Sequence, residues 1–122
     1  MKSKVINLSV QEFSQLSDRP MLIDVRSQIE YVRGHAPGAL NISLPRILLG
    51  QFSGVRNWLL PRWFRQLSKQ RTIAVICLTA HRSPIAAKSL TEQGFDVVFN
   101  LTGGMRQWQA LNLDIVQGKY PQ

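Results

Sequence analysis

The chain has 122 residues, 44% hydrophobic and 18% charged, which suits one globular domain over 1–122 and excludes an intrinsically disordered chain. Its single cysteine excludes an internal disulfide and a zinc site built on paired cysteines, so no metal and no cofactor is expected. No apolar run approaches the roughly 18 residues of a membrane span, and the opening "MKSKVINLSVQEFSQL" lacks a signal-peptide pattern. A cytoplasmic protein with no transmembrane segment is expected, monomeric or dimeric, with a free thiol kept reduced.

The net charge of +8 is unevenly spread. None of the seven acidic residues lies between Tyr31 and Thr91, an interval that holds nine of the fifteen Lys and Arg residues. Such a surface aids solubility, and it also makes a positive field that attracts small anions and favours a thiolate.

In chain order, "SVQE" (Ser9 to Glu12) is a capping-box pattern that starts a helix to about Leu16. "MLIDVR" (Met21 to Arg26) predicts a buried strand ending near Asp24. "QIEYVRG" predicts a helical turn or two stopped by Gly34, and "HAPGALNISL" mixes turn residues with a short β-like piece. In "RNWLLPRWFRQLSKQ" apolar residues fall at helical spacing, and Pro61 breaks or restarts the helix. "RTIAVIC" is the strongest strand signal, being β-branched, short and unbroken. Ser83 followed by Pro84 reads as an N-cap and a first-turn proline, with the helix running to Gln93 and ending at Gly94. "FDVVFNL" predicts a strand, and "GGMRQWQAL" a glycine turn and a short helix carrying Trp108.

This alternation implies an α/β fold: a small doubly wound, mainly parallel sheet of about five strands with helices on both faces. In such sheets ligands bind beyond the carboxyl ends of the strands. Asp24 and Cys77 both fall at predicted strand ends, so the two candidates can share one crevice despite their separation in sequence.

Cys77 ends a strand and is followed by the loop "LTAH" and a helix start. The positive end of that helix and the charge of Arg82 are conditions that lower a thiol pKa. The alternative reading is an inert buried thiol, since cysteine is among the most buried residue types.

Three stretches together resemble the rhodanese family of sulfurtransferases. "CLTAHRS" is similar to its active-site loop, in which Arg and Ser follow the cysteine by five and six positions. "LIDVRSQIEYVRGHAPGALNI" resembles its Asp-x-Arg strand end followed by Glu-Tyr and Gly-His-x-Pro-Gly-Ala. "LTGGMRQW" resembles its Gly-Gly-x-x-x-Trp element. They occur in family order and span about Ser9 to Val116. The resemblance implies a single rhodanese module in which Cys77 is the nucleophile. It takes a sulfane sulfur from a small anionic donor such as thiosulfate, becomes a persulfide, and passes the sulfur to an external thiol or cyanide. Leu78, Thr79, Ala80, His81, Arg82 and Ser83 form the implied cradle. Asp24 is expected to tie down that loop and Arg26 to help admit an anion, the plainer alternatives being a turn cap for Asp24 and a pair with Glu30 for Arg26. His81 reads as a loop residue facing solvent or substrate, His35 as a hydrogen-bonding structural residue, and Gly103 and Gly104 as a tight turn over a buried Trp108. Ala80 departs from the glycine common in the family loop, where positive φ would strain an alanine.

Rival readings are weighed on the same residues. Phosphatases also pair a loop cysteine with an arginine but place five residues between them, whereas four separate Cys77 from Arg82 here. A non-catalytic rhodanese-like interaction module could use the segment 45–71, where basic residues alternate with Phe52, Trp58, Trp63 and Phe64, to dock a protein partner or an anionic surface. The plainer expectation there is a helix that buries its aromatics and exposes its arginines. No nucleic-acid motif is present, and no nucleic-acid partner is expected.

Overall fold

The computed structural model describes residues 3–79 and 81–122. Five strands form one sheet in the order β1-β5-β4-β2-β3: β1 Lys4–Ser9, β2 Met21–Asp24, β3 Leu40–Asn41, β4 Ile73–Ile76 and β5 Val97–Thr102. Every pairing is parallel, as the alternation of strands and helices implies.

β4 lies at the centre because its sequence suits no other place. All four of its residues are fully buried, and each Ile or Val so placed contributes about 1.5–3 kcal/mol over leaving it in water. Side chains alternate across the sheet, so Ile73 and Val75 enter one core and Ala74 and Ile76 the other. The first core is closed by Ile47 of α3 (Leu44–Leu49), Phe64 of α5 (Arg62–Arg65), and Ala86, Ala87 and Leu90 of α6 (Ser83–Glu92). The second is closed by Val10 and Phe13 of α1 (Val10–Ser14), Tyr31 of α2 (Gln28–Arg33), and Met105 and Trp108 of α7 (Gly104–Ala110). A further helix, α4 (Ser53–Leu59), buries none of its residues.

The helix starts follow local chemistry. Ser9 with Glu12 and Ser27 with Glu30 form complete capping boxes at α1 and α2. Pro61 ends α4 and caps α5, so the break read from the sequence is real. Two elements lie outside the sequence expectation: β1, an edge strand paired to β5, and α3, before the helical spacing of residues 56–70. The expectation that the segment 45–71 buries its aromatics holds for Phe64 and in part for Trp63, while Phe52 and Trp58 stay exposed.

Candidate active site

Asp24 and Ile76 are register partners at the carboxyl ends of β2 and β4, so Asp24 and Cys77 leave the sheet side by side. Cys77 belongs to the core, with 1% of its surface exposed, and Leu78 packs partly buried against the second core. After it the chain rises through Leu78 and Thr79, and His81 is exposed. Ala80, singled out in the sequence for its departure from glycine, lies outside the described residues.

The chain re-enters the core at Ser83, the first residue of α6. Its hydroxyl does not cap the helix, contrary to expectation: Arg82 is the N-cap residue, with no side-chain cap bond. Ser83 is buried, and its Oγ lies 3.4 Å from Cys77 Sγ, so it can accept from a thiol or donate to a thiolate. Because no side chain occupies the helix start, its amides are left to the sulfur. Burial pushes the Cys77 thiol up, but the Ser83 hydroxyl and the backbone N–H groups of Ser83, Arg82 and Thr79 outweigh it and hold the pKa below the ordinary thiol range.

The helix start read in the sequence is thus among the causes, whereas the Arg82 charge read beside it is not. The Arg82 guanidinium makes a two-pronged pair with Glu30, Nη1 to Oε1 at 2.6 Å and Nη2 to Oε2 at 3.0 Å, which holds the Glu30 carboxyl down at about 2. Arg82 still feels the Cys77 and Asp24 charges, which with Glu30 hold its pKa up, but its own charge is shared with a carboxylate. Glu30 was not among the residues picked out as site candidates. The available signal was the Glu-Tyr pair of the second motif.

Asp24 and Arg26 are brought together, but with each other and not with the loop. Arg26 Nε donates to Asp24 Oδ1 at 3.0 Å and Nη2 to Oδ2 at 2.7 Å, and Nη2 also donates to Gly34 O at 2.6 Å. Asp24 is 0% exposed and Arg26 5%. The expected tie from Asp24 to the cysteine loop is therefore not among its described bonds. The Arg26 guanidinium is buried and engaged by Asp24 and Gly34 O, and its described ion pair is with Asp24 and not with Glu30. What does fasten the loop is the start of α7. Met105 N donates to Cys77 O at 2.7 Å and Arg106 N to Leu78 O at 2.9 Å. Gly103 and Gly104 adopt φ of 85° and 59° to bring those amides in. His35 is buried in its turn, its Nδ1 donating to Tyr31 O at 2.9 Å.

A cleft of about 380 Å³ opens beside Arg82, lined by Val25, Ser27, Gln28, Ser43, Leu44 and Pro45. A larger concavity of about 520 Å³ lies at the other end of the sheet, where Pro20 and Thr72 precede β2 and β4. The carboxyl-end rule and the position of Cys77 favour the cleft by Arg82. Among the described residues no group of three or more His, Cys, Asp and Glu side chains converges as metal ligands would.

The sequence pattern of the Rhodanese-like domain matches residues 9–111. This chain belongs to the rhodanese-like family. Among curated relatives, the thiosulfate sulfurtransferase GlpE of Shewanella oneidensis is 30% identical over 108 residues, covering 87% of this chain and 94% of that protein. A Bacillus subtilis protein, YrkF, named as a candidate sulfur carrier, is 32% identical over 109 residues, and this chain spans only 52% of its length. A rhodanese-related protein from Thermoplasma volcanium shares the rhodanese fold at a TM-score of 0.68 and 22% identity, with 91% of this chain and 97% of that one covered. A rhodanese from E. coli, solved with anions, aligns at a TM-score of 0.59 and 26% identity over 81% of this chain and 99% of its own. The rhodanese fold accounts for the parallel five-stranded sheet and for the three motifs meeting at one end of it.

The role given to Ser83 has a direct consequence. Ser83→Ala removes a hydrogen bond to a charged sulfur, so the inflection in iodoacetamide alkylation of Cys77 should move to higher pH. The alkylation rate at neutral pH should fall roughly tenfold. An unchanged profile would mean that the backbone amides alone set the thiol.

Proposed function

We propose that this rhodanese-like domain is a sulfurtransferase that carries sulfane sulfur on Cys77. One observation carries the reading: the lone thiol stands at the carboxyl end of the central strand, 3.4 Å from Ser83 Oγ, with loop donors holding its pKa below the ordinary range. The thiolate attacks the outer sulfur of an anionic donor such as thiosulfate. A Cys77 S–S bond forms, the donor's S–S bond breaks, and sulfite leaves with the bonding pair. The persulfide anion is stabilised by the same amides, which are oriented before the charge arrives. An external thiolate or cyanide then attacks the outer sulfur, and the bonding pair returns to Cys77 as a thiolate. No second cysteine exists to resolve the persulfide internally, so the acceptor is another molecule. The cycle suits a reducing compartment such as the cytoplasm, where the thiol is regenerated and kept free.

The 1% exposure of Cys77 favours the rival reading, a non-catalytic module with an inert buried thiol. Intact mass after incubation with thiosulfate separates the two. A gain of one sulfur atom is expected in the native protein and none in Cys77→Ser. Failure to gain sulfur from any sulfane donor would overturn the proposal.

A further inference from the structure

We propose that the ridge formed by α4 and its flanking turns is a docking surface for an anionic lipid membrane, in addition to the sulfur site and independent of it. Among the described residues, α4 is the one helix that buries no residue. Leu49 just before it is 53% exposed, Phe52 at its N-cap 59% and Trp58 in its last turn 84%. Six positions separate Phe52 from Trp58, about 9 Å of rise along the helix axis. The Leu49 carbonyl accepts from Phe52 N at 3.2 Å, which closes the turn between α3 and α4.

Arginines pinned to the backbone frame this apolar ridge. Arg56 Nη1 donates to Gly50 O at 3.1 Å, Arg46 Nε to Leu59 O at 2.7 Å, and Arg65 Nε to Leu60 O at 3.1 Å and Nη1 to Asn57 Oδ1 at 3.2 Å. Their guanidiniums are thus held within reach of both ends of α4. Among the described residues, the two ion pairs are Arg26–Asp24 and Arg82–Glu30, so none of these cations is paired with a carboxylate. The segment from Ile42 to Arg71 contains no Asp or Glu at all. Arg62, exposed at the start of α5 three residues after α4 ends, adds a further charge with no carboxylate partner among the described residues.

The chemistry of the ridge selects among polyanions. Phosphate groups of any kind would satisfy the arginines. An exposed indole, phenyl ring and leucine within ten residues, on and around a helix that buries nothing, call for an apolar phase as well. A lipid interface offers anionic headgroups and acyl chains at the depth each needs, and tryptophan is suited to that boundary. A nucleic acid would use the rings for stacking but gains nothing from Leu49. An acidic peptide would need a groove to bury its backbone. With three apolar residues and a handful of charges, binding is peripheral and reversible.

The test uses sedimentation with vesicles of phosphatidylcholine alone and of phosphatidylcholine with about one-third phosphatidylglycerol, at low and high salt. The protein should partition to the anionic vesicles, weakly or not at all to the neutral ones, and less as salt rises. Tryptophan emission should shift to the blue on binding, and Trp58→Phe should remove most of that shift. Phe52→Ala with Trp58→Ala should weaken partitioning roughly tenfold, because the exposed rings are the inserting groups. Arg62→Gln should weaken it about fivefold, the factor expected of one basic charge near an anionic surface. All three residues are exposed, so the variants should fold, and unchanged persulfide formation on Cys77 would verify it. Three results would overturn the proposal. The first is no binding to anionic vesicles, or equal binding to neutral ones. The second is equally tight binding to polyglutamate or to a single-stranded oligonucleotide that the ring variants leave unaltered, which would mean a charge-only partner. The third is a concentration-dependent dimer without lipid that Trp58→Ala dissolves, which would make the ridge an interface between copies.

Discussion

Gly104→Ala should destabilise the domain by about 3 kcal/mol or more and reduce the reactivity of Cys77 with it. A Cβ at this position would stand 2.6 Å from Leu78 O and closer still to Cys77 O. Neither oxygen is free to retreat, since Cys77 O accepts from Met105 N at 2.7 Å and Leu78 O from Arg106 N at 2.9 Å. The φ of 59° adds a smaller penalty of its own, about 1 kcal/mol, for any residue with a Cβ. Relieving the clash means moving the start of α7 off the cysteine loop and losing both bonds. The neighbouring glycine supplies a control. A Cβ at Gly103 would approach Gln107 Cβ at 2.8 Å, and with its φ of 85° Gly103→Ala should cost about 2 kcal/mol, but it would meet neither loop carbonyl and should leave the reactivity of Cys77 in the folded protein unchanged. Urea midpoints of the two variants, with alkylation rates of Cys77 at one pH, check both statements. A native-like midpoint for Gly104→Ala would show that the loop carbonyls can yield and that α7 does not fix the loop.

These glycines show how far the sequence could be read. "GGMRQW" signals a tight turn and a buried tryptophan, and both are present. Trp108 is in the core, with its Nε1 donating to Asp114 O at 2.8 Å. That the turn exists to bring two amides onto the carbonyls of Cys77 and Leu78 is a contact across some 27 residues of chain, and no local pattern encodes it. β4, the Ser9–Glu12 capping box and the Pro61 break were legible because each rests on neighbours within a few residues. β1 was not, because its partner β5 is more than ninety residues away and, as an edge strand, none of its six residues is buried. Glu30 is the instructive case at the site. Its place three residues after Ser27 is explained locally by the capping box, where Oε1 accepts from Ser27 N at 3.1 Å. The same carboxylate also accepts from Arg82, fifty-two residues on. A side chain already explained by its neighbours gives no sign of a second partner. Ser83 failed the other way: an N-cap pattern was present, but the buried sulfur beside it claimed the hydroxyl.

The buried Asp24–Arg26 pair yields the second large effect and separates support of the fold from action on substrate. Asp24→Asn keeps the shape of the side chain and an oxygen for Arg26 N, which donates to Oδ1 at 3.0 Å. It removes the charge that faces a guanidinium only 5% exposed. Arg26 would retain Gly34 O as a partner but no counter-charge, and a buried cation stranded in this way costs about 3–5 kcal/mol. Asp24→Leu combined with Arg26→Met should be less damaging than Asp24→Asn alone, because removing both charges leaves nothing unpaired. Urea unfolding of the three proteins measures this ordering. The activity readout distinguishes the two roles open to Asp24. If it serves the fold, Asp24→Asn at low temperature, where folded protein persists, should take up sulfur from thiosulfate at the native rate per folded molecule, since Asp24 bonds Arg26 and not the cysteine loop. If the folded variant instead loses its persulfide while its urea midpoint barely moves, Asp24 acts on the loop or the donor directly, and the pair with Arg26 is not its main purpose.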